Sequence, residues 1–325
     1  MNSPLLVVEN LRKYFEVRRG FLGKKLYLKA VDDVSFSLNR REAISIVGES
    51  GCGKTTLGKT ILRLYEPTDG RIVFDGKDIT RLEWKELKWY RRETGLVQQD
   101  PFGALPPFMT VKRILEEPLI VHGIKKGKER EEKVYEALEK VKLTPVEDFI
   151  NKYPHMLSGG QQQRLVIARA MILEPKLIVA DEPVSMLDAS VRIEILKLLK
   201  ELQNKYDLSI MYITHDLSTT RYFSEKIHIM YAAHIVESAE TRELLYNPMH
   251  PYTRALLNVI PDPDPANRSI IRDVPAGEPP NLVDPPKGCR FHPRCPNFIK
   301  GVCDVKEPPV TEAAKEHHVK CWLYG

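Results

Sequence analysis

The eight residues Gly48-Glu49-Ser50-Gly51-Cys52-Gly53-Lys54-Thr55 constrain the fold of this chain more than any other stretch. They fit G-x-x-x-x-G-K-[ST]. The preceding run, Glu42-Ala43-Ile44-Ser45-Ile46-Val47, is apolar and β-branched enough for a buried strand. The following run, Thr56-Leu57-Gly58-Lys59-Thr60-Ile61-Leu62, reads as the opening of a helix. Strand, glycine loop and helix in that order predict an α/β core with a phosphate cradle. Gly48, Gly51 and Gly53 let the backbone turn tightly and aim N–H groups at phosphate oxygens. The helix N-terminus adds partial positive charge. Ser50 and Thr56 complete the cradle, Lys54 reaches the outer phosphates, and the Thr55 hydroxyl faces Mg²⁺.

A second apolar run, Leu177-Ile178-Val179-Ala180, ends in Asp181-Glu182. In an open parallel sheet the C-terminal ends of strands collect at the ligand edge. Asp181 is therefore expected near Mg²⁺, and Glu182 is expected to orient and activate the attacking water. About a hundred residues after the glycine loop comes Leu157-Ser158-Gly159-Gly160-Gln161. A phosphate loop alone marks a very large class of nucleotidases, and its pairing with this run marks one subset of them.

On these motifs the chain resembles the ATP-binding subunits of ABC transporters. The resemblance implies an α/β fold: a RecA-like core, an antiparallel β subdomain, a helical subdomain and a small proline- and cysteine-rich C-terminal extension. It also implies roles. Phe15 stacks on adenine, with Tyr14 as the neighbouring alternative. Gln99, in Val97-Gln98-Gln99-Asp100-Pro101, senses Mg²⁺ and the γ-phosphate and leads into the membrane-domain contact. Ser158 and Gly160 touch the γ-phosphate held by a second chain. Asp188, in Ser185-Met186-Leu187-Asp188, lies at the dimer seam. His215, in Thr214-His215-Asp216, is the switch histidine. Asp181 and Glu182 take their place in the same set.

The resemblance is nearest to the oligopeptide/dipeptide importer type. It rests on the insert from Val17 to Lys29, on His250-Pro251-Tyr252-Thr253-Arg254-Ala255-Leu256-Leu257, and on Gly277-Glu278-Pro279-Pro280 followed by Pro285 to Pro296. Met186 and Pro106 depart from the family pattern without removing a catalytic group. The implied partners are a homologous second ATPase in a heterodimer, two membrane permeases and an extracellular solute-binding protein. Peptides are the expected cargo and oligosaccharides the alternative. A soluble ABC ATPase working on DNA or ribosomes is the rival class. Such proteins carry a long coiled coil or two ATPase units, and this chain has one phosphate loop, one signature and no extended heptads.

Composition fits this reading. A chain of 325 residues with 42% hydrophobic content holds one large domain and an appendage. No stretch approaches the roughly 18 apolar residues that cross a bilayer, and no signal peptide stands at the N-terminus. The expected place is the cytoplasmic face of the membrane, with no nucleic-acid partner. The expected boundary puts the ATPase domain at 1–248 and the extension at 249–325. Prolines crowd from Pro261 to Pro286, which predicts an extended connector.

Four of the five cysteines follow it. Cys289, Cys295, Cys303 and Cys321 are spaced C-x5-C-x7-C-x17-C. Zinc favours closer pairs, and structural disulfides are rare in a reducing compartment. A proline-rich segment poor in apolar residues needs a staple to hold its shape. Four thiolates suit a [4Fe–4S] cluster, and Cys295-Pro296 matches the Cys-Pro of ferredoxin runs. The family resemblance points the same way. Zinc is the alternative, then two disulfides, with His292, His317 and His318 as reserve ligands.

Overall fold

The strand expected before the glycine loop forms at Ala43–Val47 and is buried along its whole length. The helix after the loop runs Lys54–Ile61. They belong to a computed structural model that describes residues 3–18, 25–259 and 277–325. The tip of the insert after Val17 and most of the proline-rich connector lie outside the described residues. The chain divides into two compact units. The phosphate-loop unit comprises Ser3–Leu38, Ala43–Arg81 and Ile213–Gly325; the signature unit comprises Asn39–Glu42 and Leu82–Tyr212.

The phosphate-loop unit contains two sheets. In the antiparallel one, Lys25–Leu38 pairs with Leu6–Arg18, which pairs with Asp69–Phe74, which pairs with Lys77–Asp78. The residues around the insert belong to the first pair, with Val17 opposite Leu26. The described ends of the insert therefore extend these two paired strands. The second sheet is mixed. Ala43–Val47 runs parallel to Lys226–Tyr231, which pairs antiparallel with His234–Glu240. The C-terminal extension continues it, because His317–Lys320 pairs with His234–Glu240 and Val310–Ala314 closes the edge. This tail hairpin is not evident from the sequence.

The signature unit pairs Thr94–Val97 with Leu177–Asp181 in parallel. Helices dominate the rest of this unit. A charged amphipathic helix runs Gly127–Lys140 and buries Val134, Ala137 and Leu138. A long helix runs Ala189–Lys205 and buries Ile195, Leu198, Leu199 and Leu202. These are positions i, i+3, i+4 and i+7, one face of a helix of period 3.6.

Candidate active site

The phosphate loop is built by close approach of backbone to backbone. A Cβ on Gly48 would lie 2.0 Å from the Met230 carbonyl oxygen, and one on Gly53 would lie 2.0 Å from that of Ala30. Gly53 also has φ 110°, a conformation that only glycine adopts without strain. Lys54 is 5% exposed. Its ammonium donates to the carbonyls of Gly48 at 2.7 Å and Glu49 at 2.9 Å. Ser50, Gly51 and Thr55 are exposed and Thr56 is half-buried. No acidic residue stands in the first turn of the helix, so its positive end is not offset.

Phe15 is half-buried and meets Tyr65 edge to face at 5.3 Å, with the Lys13 ammonium 4.8 Å from its ring. The neighbouring alternative, Tyr14, commits its hydroxyl to the Asp32 carboxylate. Burial and that bond push the Tyr14 phenol far up. Of the two rings, Phe15 has no polar group engaged elsewhere, and Tyr65 is an aromatic partner that sequence reasoning missed. His215 is exposed at the end of a buried strand, and Asp216 beside it caps the next turn through Ser218 N–H at 2.8 Å.

In the signature unit, Asp181 ends a fully buried strand and is itself 7% exposed. Glu182 follows at φ 47°. A non-glycine residue in this left-handed region costs about 1–2 kcal/mol. The Ser185 N–H and hydroxyl both donate to the Glu182 carbonyl, at 3.2 and 3.1 Å, and hold the turn. The Glu182 carboxylate accepts from the Gln99 amide at 3.2 Å, so two expected catalytic residues meet directly. Arg192 donates to the carbonyls of Leu187 and Ser185, at 2.7 and 3.4 Å, and fixes the segment carrying Asp188. Ser158 caps the helix Gly159–Met171 in a capping box with Gln161. A Cβ on Gly160 would lie 2.8 Å from Val191, which explains glycine there. Ser158 and Asp188 are both exposed.

The tail differs from expectation. All five cysteines are free thiols. Burial pushes the Cys289 thiol up to about 11, and its neighbours Cys321, Cys303 and Cys295 push it further the same way. Cys289 N–H donates to the Cys303 carbonyl at 2.8 Å. Among the described residues no group of three or more His, Cys, Asp or Glu side chains is set to hold a metal ion. The expected metal site of Cys289, Cys295, Cys303 and Cys321 is therefore not a closed ligand shell. His317 is no reserve ligand either. It is fully buried with its Nε2 2.7 Å from the Glu237 carboxylate.

The anchors of the segment between Cys289 and Cys295 are aromatic and cationic. Phe291 is buried against Tyr231, Tyr252 and His250, with ring centroids 5.2, 5.4 and 5.7 Å away. Burying such a ring contributes roughly 1.5–3 kcal/mol. Arg290 and Arg294 flank it and reach Asp32 and Glu49. Both arginines lie inside the Pro285 to Pro296 stretch that marks the family, but the sequence did not show what they reach.

A glycine cradle, a buried lysine, a strained glutamate after an Asp-ending strand and a serine-capped LSGGQ helix are the parts of a phosphate-loop ATPase. Comparison with known proteins makes the class specific. Residues 31–185 match the ABC transporter family, and residues 236–303 match the oligopeptide/dipeptide transporter C-terminal region. The oligopeptide transport ATP-binding protein AppF of Bacillus subtilis is 45% identical over 327 residues, covering 99% of this chain and 98% of that protein. The dipeptide transport ATP-binding protein DppF of Haemophilus influenzae is 42% identical over 294 residues, covering 90% and 89%. A solved dimer of the ATP-binding cassette MJ0796 in a post-hydrolysis state with ADP and Pi is 31% identical with a TM-score of 0.64. That match covers 73% of this chain and 99% of the cassette. The chain belongs to the ATP-binding proteins of ABC transporters, in the branch that carries the oligopeptide/dipeptide C-terminal region.

Proposed function

We propose that this chain is the ATP-hydrolysing subunit of an importer of di- or oligopeptides. One observation carries the proposal: likeness to peptide-transport ATP-binding proteins runs through the cassette and the tail alike. Residues 1–248 are the ATPase domain in this reading, and 249–325 are the extension. The working partners are two membrane permeases, an extracellular solute-binding protein and a homologous second ATPase, at the cytoplasmic face of the membrane. Among the described residues no helix is long and apolar enough to cross a bilayer. The groove beside the glutamine loop suits a permease segment. It has a volume of about 380 Å³ and is lined by Gln98, Leu105, Val121, His122 and Arg169.

The site residues take these roles. Gly48, Ser50, Gly51, Gly53, Lys54 and Thr56 bind the phosphates, and Phe15 stacks on adenine. Hydroxyl, amide and carboxylate oxygens suit the hard cation Mg²⁺, so Thr55, Gln99 and Asp181 are its ligands. The ion neutralises charge on the phosphates when bound. Glu182 accepts the proton of the attacking water, with Gln99 and His215 orienting it. Ser158, Gly160 and Asp188 serve the nucleotide of a second chain. Cys289, Cys295, Cys303 and Cys321 bind a [4Fe–4S] cluster as a structural staple, with one zinc as the alternative. The support is their spacing and their free thiols.

The test is to reconstitute the chain with its permeases and binding protein in liposomes. Peptide-stimulated ATP hydrolysis with uptake is the expected result. Stimulation by oligosaccharides and not by peptides would overturn the cargo assignment. Protein purified without oxygen should be brown and hold about four irons per chain; colourless protein with one zinc would replace the cluster.

A further inference from the structure

The segment between the first two tail cysteines sends two arginines to the phosphate-loop region. Arg294 grips the Glu49 carboxylate with both terminal nitrogens, at 3.0 and 3.3 Å from one and 3.3 Å from the other. The Arg294 side chain is 8% exposed and that of Glu49 27%, so this pair is largely withdrawn from water. A two-pronged, desolvated arginine–carboxylate pair is strong and directional, unlike a surface ion pair.

Glu49 is the second residue of the phosphate loop, and it is held at three points. Its side chain is held by Arg294. Its N–H donates to the hydroxyl oxygen of buried Tyr252 at 3.0 Å, and its carbonyl accepts from Lys54 at 2.9 Å. The other face of the loop is held through a strained turn. Ala232 and Ala233 have φ 45° and 72°, where a hairpin would ordinarily use Asn-Gly. Three contacts hold the turn. Ala233 N–H donates to the Cys52 carbonyl at 2.9 Å, Asp32 N–H donates to the Ala233 carbonyl at 3.0 Å, and Arg290 donates to the Ala232 carbonyl at 2.6 Å. Arg290 also pairs with Asp32, which accepts from Tyr14, the neighbour of Phe15. Burial alone would raise the Asp32 carboxyl, but hydrogen bonds with His234, Tyr14 and Arg290 hold it well below the usual range.

There is also a matter of charge. A carboxylate in a loop that binds a polyanion repels it. Arg294 cancels that charge where it stands and fixes the peptide that carries it.

We infer that Arg294 is a positioning residue of the phosphate loop, so that the C-terminal extension is a working part of the nucleotide site and sets its affinity for ATP. The inference rests on the ATP-binding role proposed above. It assigns the tail a task beyond holding its own shape. Arg290 supports the same loop from its other side.

Four variants test it, in the full-length chain, by ATP–Mg²⁺ binding and steady-state hydrolysis. R294Q should weaken ATP binding about tenfold, the usual effect of losing a charged hydrogen bond. KM should rise with it while kcat changes less than twofold. R294K keeps the charge but not the fork and should recover part of the loss. E49Q removes the repelling charge and leaves an oxygen for Arg294, so it should bind ATP at least as tightly as wild type. The double variant R294Q/E49Q should bind more tightly than R294Q. Unchanged ATP affinity in R294Q, a change in melting temperature alone, or clearly weaker binding in E49Q would overturn the inference. E49Q keeps the test open if R294Q does not fold. Wild-type chain that binds no nucleotide, with K54A no different, would instead overturn the ATP-binding reading itself.

Discussion

The phosphate loop and the signature run each place glycines at the start of a helix, and the chain treats them in opposite ways. Around the phosphate loop the supporting groups are enclosed by their own unit, while Ser50, Gly51 and Thr55 stay exposed. Lys54 is buried, Gly48 and Gly53 press on carbonyls, and Glu49 is held at three points. Around the signature helix the functional groups face outward. Ser158 is exposed and its hydroxyl is spent only on its own helix cap. Asp188 starts the next helix without any side-chain cap bond. The first turn of a helix leaves N–H groups without intrahelical partners. A loop that must hold a triphosphate is made rigid beforehand. The signature run instead leaves the Ser158 side chain at the surface while its capping box engages the first N–H groups.

The sharpest way to break that contrast is to remove the proton acceptor and keep the cradle. Glu182→Gln should lower turnover by about 10²–10⁴-fold while ATP binding persists. Near-normal hydrolysis by this variant would end the assignment of Glu182 as base.

A pair of glycine substitutions compares the two helix starts directly. Gly53→Ala meets a carbonyl at 2.0 Å and a φ of 110°, so it should cost about 3 kcal/mol or more. Gly159→Ala meets only Leu187 Cδ2 at 3.6 Å, and should change stability by less than about 1 kcal/mol. Urea melts of the two variants measure this; equal losses would erase the contrast.

Acid should also separate the units. His228 and His250 lie buried in the phosphate-loop unit, and burial lowers both to about 3. The unfolded chain takes up these protons near the ordinary histidine value of about 6.5, and the folded chain does not. The stability linked to their neutral state is complete above pH 6.5. It is lost as pH falls from there toward 3, on the order of 1–2 kcal/mol per histidine by pH 5. Hydrogen exchange should therefore quicken first in the strands Lys226–Tyr231 and His234–Glu240. Faster exchange in the signature helix at the same pH would contradict this.

The smallest effect is at the signature cap. Ser158→Ala should lose about 1 kcal/mol, whereas Ser158→Asp keeps a capping oxygen and should keep stability. Both should hydrolyse ATP poorly, because a capping carboxylate cannot receive a γ-phosphate. A fully active Ser158→Asp would show that this residue serves the helix alone.

Much of this site was legible because phosphate chemistry fixes residue types at short spacings. The loop from Gly48 to Thr55, the Asp181-Glu182 strand end and the Ser158 cap each sit within a few neighbouring residues. The parts that escaped are long-range. Arg294 and Glu49 are 245 positions apart, and Tyr252 and Glu49 are 203 apart. Ala232-Ala233 carries none of the residues that ordinarily announce a tight turn, since its strain is borne by contacts from other segments. The tail hairpin alternates too weakly to read as a strand pair, because Val310–Ala314 is an edge strand with no fully buried residue. The cysteine spacing grouped four thiols as a metal site, which the described residues do not show as a ligand group, and it did not reveal that Phe291, Arg290 and Arg294 anchor the segment between Cys289 and Cys295.

The central claim is that one chain supplies only half of each working site. The direct measurement is the ATPase rate per chain across a wide range of chain concentration, with the mass of the species followed alongside. The rate per chain should climb with concentration as dimers form and fall toward zero on dilution. A high rate that stays flat on dilution, in a sample that is monomeric throughout, would contradict the account.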